Sequence, residues 1–159
     1  MIRQVRAEDW ERLRDARLRA LTEAPYAFAS TLASEQAFED GVWRERAMPS
    51  ETSASVAEDR DGRFDAIVSC FVAEDPMTAH LVGMWVAPER RGCGLGSRLV
   101  DGIVEWARAH GAERVCLCVE AGNATALTLY ERCGFRRANP APQLPYKPGP
   151  GADVLVLEV

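Results

Sequence analysis

The stretch Met84-Trp85-Val86-Ala87-Pro88-Glu89-Arg90-Arg91-Gly92-Cys93-Gly94-Leu95-Gly96-Ser97-Arg98-Leu99 reads as a strand that runs into a glycine-rich turn, and the turn opens a helix. Pro88 breaks the strand, because proline cannot donate to a ladder. Beyond the glycines, Leu99, Val100, Ile103, Val104 and Ala107 recur at helical spacing. The first turn of a helix carries N–H groups without partners and a partial positive charge. Gly92, Gly94 and Gly96 let an anion approach that backbone, and Arg90, Arg91 and Arg98 add positive charge. The arrangement is an anion cradle. Its dipole contribution is about 0.3–1 kcal/mol when exposed and up to ~2 kcal/mol when partly buried. N–H groups aimed at the anion add charge-assisted hydrogen bonds.

Two other phosphate-binding patterns fail here. A dinucleotide fingerprint needs a last glycine where Ser97 stands, and it needs to follow the strand directly. A Walker-type loop needs Gly-Lys-Ser/Thr, which is absent.

Outward from the turn, the chain alternates helical and strand patterns. Ile2 to Val5 reads as a short strand. Trp10, Leu13, Arg17, Leu18, Ala20 and Leu21 share one helical face, in a helix that ends before Pro25. A second helix is expected from Ser30 or Thr31 to Arg46. Ser53–Glu58, Phe64–Val72 and Ala79–Val86 form a strand meander, with a hairpin signal at Asp59-Arg60-Asp61-Gly62 and a turn at Glu74-Asp75-Pro76. Gly111 closes the central helix. Arg114–Val119 has the apolar run of a strand buried on both faces. Ala124–Cys133 is a further helix closed by Gly134, and Phe135 starts another strand. Five of the nine prolines lie between Pro140 and Pro150, so residues 139–152 form a long loop before a terminal strand, Asp153–Val159.

The bulk properties exclude several classes. The chain of 159 residues suits one domain with its own core. It is 47% hydrophobic and 27% charged, with a net charge of −5. An acidic chain lacks the footprint of a nucleic-acid binder and has no polybasic membrane anchor. No run approaches the ~20 apolar residues of a membrane span, and Met1–Arg6 has no signal-like apolar run. A cytoplasmic location with five thiols is therefore expected. Cys116 and Cys118 face one side of a strand and read as core thiols. A metal site is not expected, since His80 and His110 are the only histidines.

At this point the residues resemble the GNAT superfamily of N-acetyltransferases. Arg91-Gly92-Cys93-Gly94-Leu95-Gly96 matches the central Arg/Gln-x-x-Gly-x-Gly/Ala motif. Asn123-Ala124-Thr125-Ala126-Leu127-Thr128-Leu129-Tyr130-Glu131-Arg132-Cys133-Gly134-Phe135 matches a second block, Asn-x-x-Ala-x-x-x-Tyr-x-x-x-Gly-Phe. The resemblance covers roughly residues 81 to 136, and the Pro25-x-Ala27-Phe28 segment resembles bacterial members less specifically. It implies an α+β fold over residues 1–159. The expected architecture is a mixed, mostly antiparallel sheet of about six to seven strands, flanked by about four helices and splayed at an acyl-CoA site. It implies acetyl-CoA as the acyl donor and no metal. Trp85 and Val86 would line the pantetheine arm, with Trp85 also a candidate for core or acceptor-pocket wall. Arg91, Gly92, Cys93, Gly94, Leu95, Gly96 and Ser97 would hold the diphosphate. Asn123 would contact the arm, and Tyr130 would lie near the sulfur. Homodimers built through sheet edges are common in the family.

The implied activity is acetyl transfer to a primary amine of a small molecule or peptide. A lysine-like amine with a pKa near 10.4 is neutral in only about 1 of 2,500 copies at pH 7, equivalent to roughly 4.6 kcal/mol. A drier site or a general base must offset this. The Val86 N–H stabilises the developing oxyanion by family analogy, and Tyr130 is the candidate proton donor to the thiolate. For the base, Glu120 is preferred over Glu35, His80 or an ordered water. Tyr146 and Lys147 are the distinctive residues of the proline-rich loop, which either covers the acceptor site or makes no contact with it. A non-catalytic acyl-CoA sensor and a transferase for longer acyl groups are the alternative readings. The acidic chain leans toward cationic acceptors.

Overall fold

The computed structural model describes residues 1–159. It is built on seven strands: β1 (Ile2–Gln4), β2 (Ser53–Arg60), β3 (Arg63–Val72), β4 (Thr78–Val86), β5 (Arg114–Val119), β6 (Arg136–Arg137) and β7 (Asp153–Glu158). They form one sheet in the order β1-β2-β3-β4-β5-β7-β6. Every pairing is antiparallel except β4 with β5. The helices are α1 (Trp10–Glu23), α2 (Leu32–Gln36), α3 (Asp40–Ala47), α4 (Leu95–Ala109) and α5 (Ala124–Arg132). No helix is long and apolar enough to cross a membrane.

The meander follows from its turn chemistry. Asp61 and Gly62 both take positive φ, 53° and 86°, the conformation that matches a two-residue hairpin turn to the twist of its strands. The Asp59 carboxylate accepts from the Gly62 N–H at 3.0 Å. Alternation along β3 separates two cores, and a bulge between Phe64 and Ala66, where β3 spends one residue more than β2, turns Phe64 to the same side as Ile67. Ala66, Val68 and Cys70 join the core under α4, and Phe64 and Ile67 join the core under α1. α4 carries the larger core through Leu95, Leu99, Val100, Ile103 and Ala107. Trp43 and Trp106 are buried, as their places on helix faces suggest.

Two expected elements are corrected. The single helix expected from Ser30 or Thr31 to Arg46 is two helices, α2 and α3, so the sheet is flanked by five. Thr31 caps α2 by accepting from the Ser34 N–H at 3.2 Å. The break at Ala37-Phe38-Glu39 contains neither glycine nor proline, so local sequence does not mark it. Tertiary contacts do: Glu35 is wholly buried against α1, and Phe38 packs on Trp43 with ring centroids 5.9 Å apart. The strand expected to start at Phe135 shrinks to Arg136–Arg137.

Candidate active site

Three features of β4 and β5 build the site. The two strands pair only between Thr78–His80 and Arg114–Cys116. Beyond His80 and Cys116 they diverge and leave a wedge-shaped gap. Within β4, Ser69↔Val82 is followed by Ile67↔Trp85, so β4 spends one more residue than β3. This is a β-bulge, and Gly83 with φ 65° occupies it. The extra residue reverses which side chains face which core. Ala79, Leu81, Met84 and Val86 face α4, and Trp85 and Ala87 face α1.

The bulge also fixes the direction of Val86. Ala66 and Val86 are opposite each other, and the Ala87 N–H donates to the Asp65 carbonyl at 2.8 Å. That pattern makes Ala66/Val86 a non-hydrogen-bonded pair, so the N–H and C=O of Val86 point away from β3 into the gap. Arg91 Nε donates to this carbonyl at 2.9 Å.

The glycine turn divides its labour. Gly92 and Gly94 have φ of 78° and 83°, with nothing within 4 Å of a Cβ built on either. They are glycines because the backbone is left-handed there. Gly96 lies in α4, and a Cβ on it would meet Leu129 Cδ2 of α5 at 2.9 Å. Its smallness serves helix packing, which corrects the view of three equivalent cradle glycines. Gly94 provides no side-chain cap, and the Arg98 N–H is the first to bond back, to the Gly94 carbonyl at 3.2 Å. The N–H groups of Leu95, Gly96 and Ser97 are therefore left for an anion.

The arginines expected to charge the turn are mostly engaged elsewhere. Arg90 pairs with the buried Glu58. Arg91 pairs with Glu23 at 2.7 Å, and the same carboxylate accepts from Trp85 Nε1 at 3.0 Å. The Arg91 hydrogen bond holds the Glu23 carboxyl below the usual range, against the opposing effect of burial. Arg98 is exposed and makes no ion pair. Trp85 is buried on the α1 side, as core. Cys93 is exposed, and its thiol donates to the Arg90 carbonyl at 2.9 Å.

Asn123 and Tyr130 sit at opposite ends of α5. Asn123 caps the helix, its Oδ1 accepting from the Ala126 N–H at 3.2 Å, which leaves its amide N–H₂ to spare. Tyr130 is buried in the larger core and meets Phe135 edge-on at 5.7 Å. Burial raises its phenol pKa well above the ordinary value, so the hydroxyl is held protonated.

The candidate bases are in different situations. Glu120 stands just past β5, half-buried, where a Cβ on Gly149 would overlap its carboxylate. Glu35 has no exposure, and its oxygens accept from Arg17 Nε at 3.0 Å, Arg17 Nη2 at 2.9 Å and Arg46 Nη1 at 2.8 Å. Burial opposes its ionisation, but these bonds prevail and hold its pKa below the ordinary value. Glu35 is thus a structural tie. His80 is 3% exposed, and its Nδ1 has no hydrogen-bond partner. Burial lowers its pKa, against the opposing charge of Asp75.

The proline-rich loop lies against this site. Tyr146 meets the His80 ring edge-on at 6.3 Å, Gly149 touches Glu120, and Gly151 packs near Ala121. Cys116, buried, and Cys118, half-buried, are free thiols on β5, with Cys116 pushed up to about 11 by burial. Glu23, which ties Arg91 to Trp85, and Arg17, whose Nη1 reaches the Gly83 bulge, adjoin these elements and were not singled out from the sequence. Arg17 did leave a signal, since it is a cation inside the apolar stripe of α1.

The chain matches the Acetyltransferase (GNAT) family over residues 10–135. It is 33% identical over 76 residues to the L-methionine sulfoximine/L-methionine sulfone acetyltransferase of Pseudomonas aeruginosa, covering 48% of this chain and 44% of that protein. It is 35% identical over 128 residues to the mycothiol acetyltransferase of Beutenbergia cavernae, covering 68% of this chain and 43% of that protein. These matches span less than half the length of the curated relatives. Among solved structures, the GNAT-family acetyltransferase of Streptococcus pneumoniae superposes with a TM-score of 0.77 at 19% identity, over 100% of this chain and 99% of that one. The PaiA N-acetyltransferase of Thermoplasma acidophilum, solved with coenzyme A, gives 0.77 at 14%, over 100% and 98%. The bulged β4, the gap beside it and the glycine turn at its end lie within the matched region, and the chain belongs to the acetyltransferase (GNAT) family.

Proposed function

We propose that the protein is an acetyl-CoA-dependent N-acetyltransferase acting on a primary amine of a small molecule or peptide. The observation that carries this reading is the Val86 backbone pair turned into the β4/β5 gap, directly ahead of the unpartnered N–H groups of Leu95, Gly96 and Ser97. The relatives named as methionine sulfoximine and mycothiol acetyltransferases support small acceptors.

Acetyl-CoA supplies an activated acetyl thioester. The N–H groups of Leu95, Gly96 and Ser97 hold its diphosphate, with Gly92 and Gly94 shaping the turn and Cys93 at its rim. Val86 pairs with the arm, so Arg91 exchanges its bond to the Val86 carbonyl when the arm binds. The spare amide N–H₂ of Asn123 faces the same arm. The Val86 N–H stabilises the charge that develops on the acyl oxygen. Tyr130, kept protonated by burial, gives its proton to the departing thiolate. Glu120 takes the proton of the incoming ammonium. His80 is the second reading for this role, favoured by its orphaned Nδ1. Residues 1–159 act as one unit in this reading. A cytoplasmic location is supported by an odd number of thiols.

Thermal unfolding with acetyl-CoA, CoA, NADH and ATP tests the donor site. Ligand at about 100 times its dissociation constant adds about 2.7 kcal/mol, a melting shift of roughly 5–11 °C at this size. A shift with acetyl-CoA and CoA alone is expected. No shift with either sinks the proposal. Binding without acetylation of any amine in a broad panel points instead to a sensor.

A further inference from the structure

Resting on the acetyltransferase reading, the geometry points to a narrower acceptor class. We infer that the acceptor carries a free carboxylate close to its amine, as an α-amino acid does, and that Arg17 binds that carboxylate.

Arg17 projects from α1 toward the β4 bulge. Its Nη1 lies 3.4 Å from where a Cβ on Gly83 would stand. Gly83 is the residue that opens the strand next to the gap, so the cation faces the place where acyl transfer is proposed. The guanidinium is held on two sides. Its Nε and Nη2 donate to the two oxygens of Glu35 at 3.0 and 2.9 Å, and the Phe28 ring stacks on it at 4.6 Å. Glu35 is itself fully buried and braced by Arg46.

A guanidinium presents five N–H donors in a rigid fork with two usable edges. Glu35 fills the Nε/Nη2 edge. Nη1 makes no bond within the protein, and together with the second N–H of Nη2 it forms an edge that suits another carboxylate in the bidentate manner. Two arginines around one glutamate leave a net positive charge at this point, in a chain whose overall charge is −5. A purely cationic acceptor is disfavoured here. Three residues before Gly83 on β4, beside Tyr146 of the proline-rich loop, the unpartnered, buried Nδ1 of His80 is a second polar group that calls for a polar ligand.

The test compares the twenty α-amino acids with their α-amides and decarboxylated amines, at saturating acetyl-CoA, by product formation. Melting shifts of the CoA complex give a parallel binding readout. An amide has the more acidic ammonium and so the larger neutral fraction, which favours it in the absence of carboxylate recognition. Higher kcat/KM for the best acids, by about 10- to 100-fold over their amides, is expected for a charged hydrogen-bonded contact. Arg17→Lys keeps a charge beside Glu35 but loses the fork. It should raise KM for the acids about tenfold while leaving KM for amides and the CoA melting shift unchanged. Amides or simple amines used as well as acids would overturn the inference while keeping the transferase. Acids bound to the CoA complex without turnover would keep the inference and remove the transferase. An equal rise in KM for acids and amides in Arg17→Lys, or no binding of any acid, also overturns it.

Discussion

At the scale of single residues, identical letters carry different jobs. Gly94 and Gly96 stand two apart in one motif, yet Gly94 is required by a left-handed backbone and Gly96 by the approach of Leu129. Gly94→Ala should therefore cost about 1–2 kcal/mol in urea unfolding, the penalty of placing a Cβ in that conformation. Gly96→Ala should cost less. The tip of the half-buried Leu129 can yield, and alanine gains roughly 1 kcal/mol of helix propensity over glycine. Tyr130→Phe should lower kcat about 10²–10⁴-fold if its proton goes to the thiolate, with the acetyl-CoA melting shift intact. An unchanged kcat would remove Tyr130 from the chemistry. Cys93 is the one exposed cysteine, so limited alkylation should reach it first and weaken CoA binding. Confirmed modification with full affinity would show that the rim of the turn tolerates bulk.

At the scale of elements, the tie at Glu35 joins α1, α2 and α3 through Arg17 and Arg46. Breaking a buried pair by removing one partner costs about 3–5 kcal/mol. Because Arg46 is 41% exposed, water screens that part of the pair, and Glu35→Ala is expected near the lower end, about 3 kcal/mol. Denaturant unfolding measures it. The same tie explains why the break between α2 and α3 was not readable. Nothing in Ala37-Phe38-Glu39 stops a helix locally, and only the inward pull on Glu35 and the packing of Phe38 on Trp43 bend the chain there. By contrast, α4, β5 and α5 were legible nearly to the residue, because each is bounded by local stop signals such as Pro88, Gly111 and Gly134. The fate of the proline-rich loop was not legible. Its contact with His80 and Glu120 joins residues far apart in sequence, and composition marks a loop without saying what it touches.

At the scale of the whole molecule, buried titratable groups set the response to pH. The pKa of His80 is lowered in the folded state, so its neutral form contributes stability above the ordinary imidazole value of about 6.5. That contribution is lost as pH falls from there through the folded value. Glu35 and Asp9 are also lowered, the latter chiefly by its bond to Arg3. Their contributions are present above the ordinary carboxylate range and disappear as pH falls below about 4. Stability should therefore decline gently below pH 6.5 and steeply below about 4. His80→Gln should flatten only the upper part, read as melting temperature against pH, and an unaltered profile would show that His80 does not titrate with folding. Net charge, also a whole-molecule property, says little about one place on the surface: the total is −5, yet Arg17 and Arg46 gather around the single carboxylate of Glu35.

The sequence by itself determined the strand–turn–helix at residues 84–99, the second block at 123–135 and, through them, the family. Those signals are local: glycine positions, caps and periodicity act within a few residues of the backbone they shape. The direction of Val86, the two uses of the turn glycines, the engagement of Arg91 with Glu23 and the Arg17 fork beside Gly83 were decided only by the tertiary structure. Each depends on which strand lies opposite or which helix packs above, and a bulge of one residue is enough to turn every later side chain of β4 to the other face.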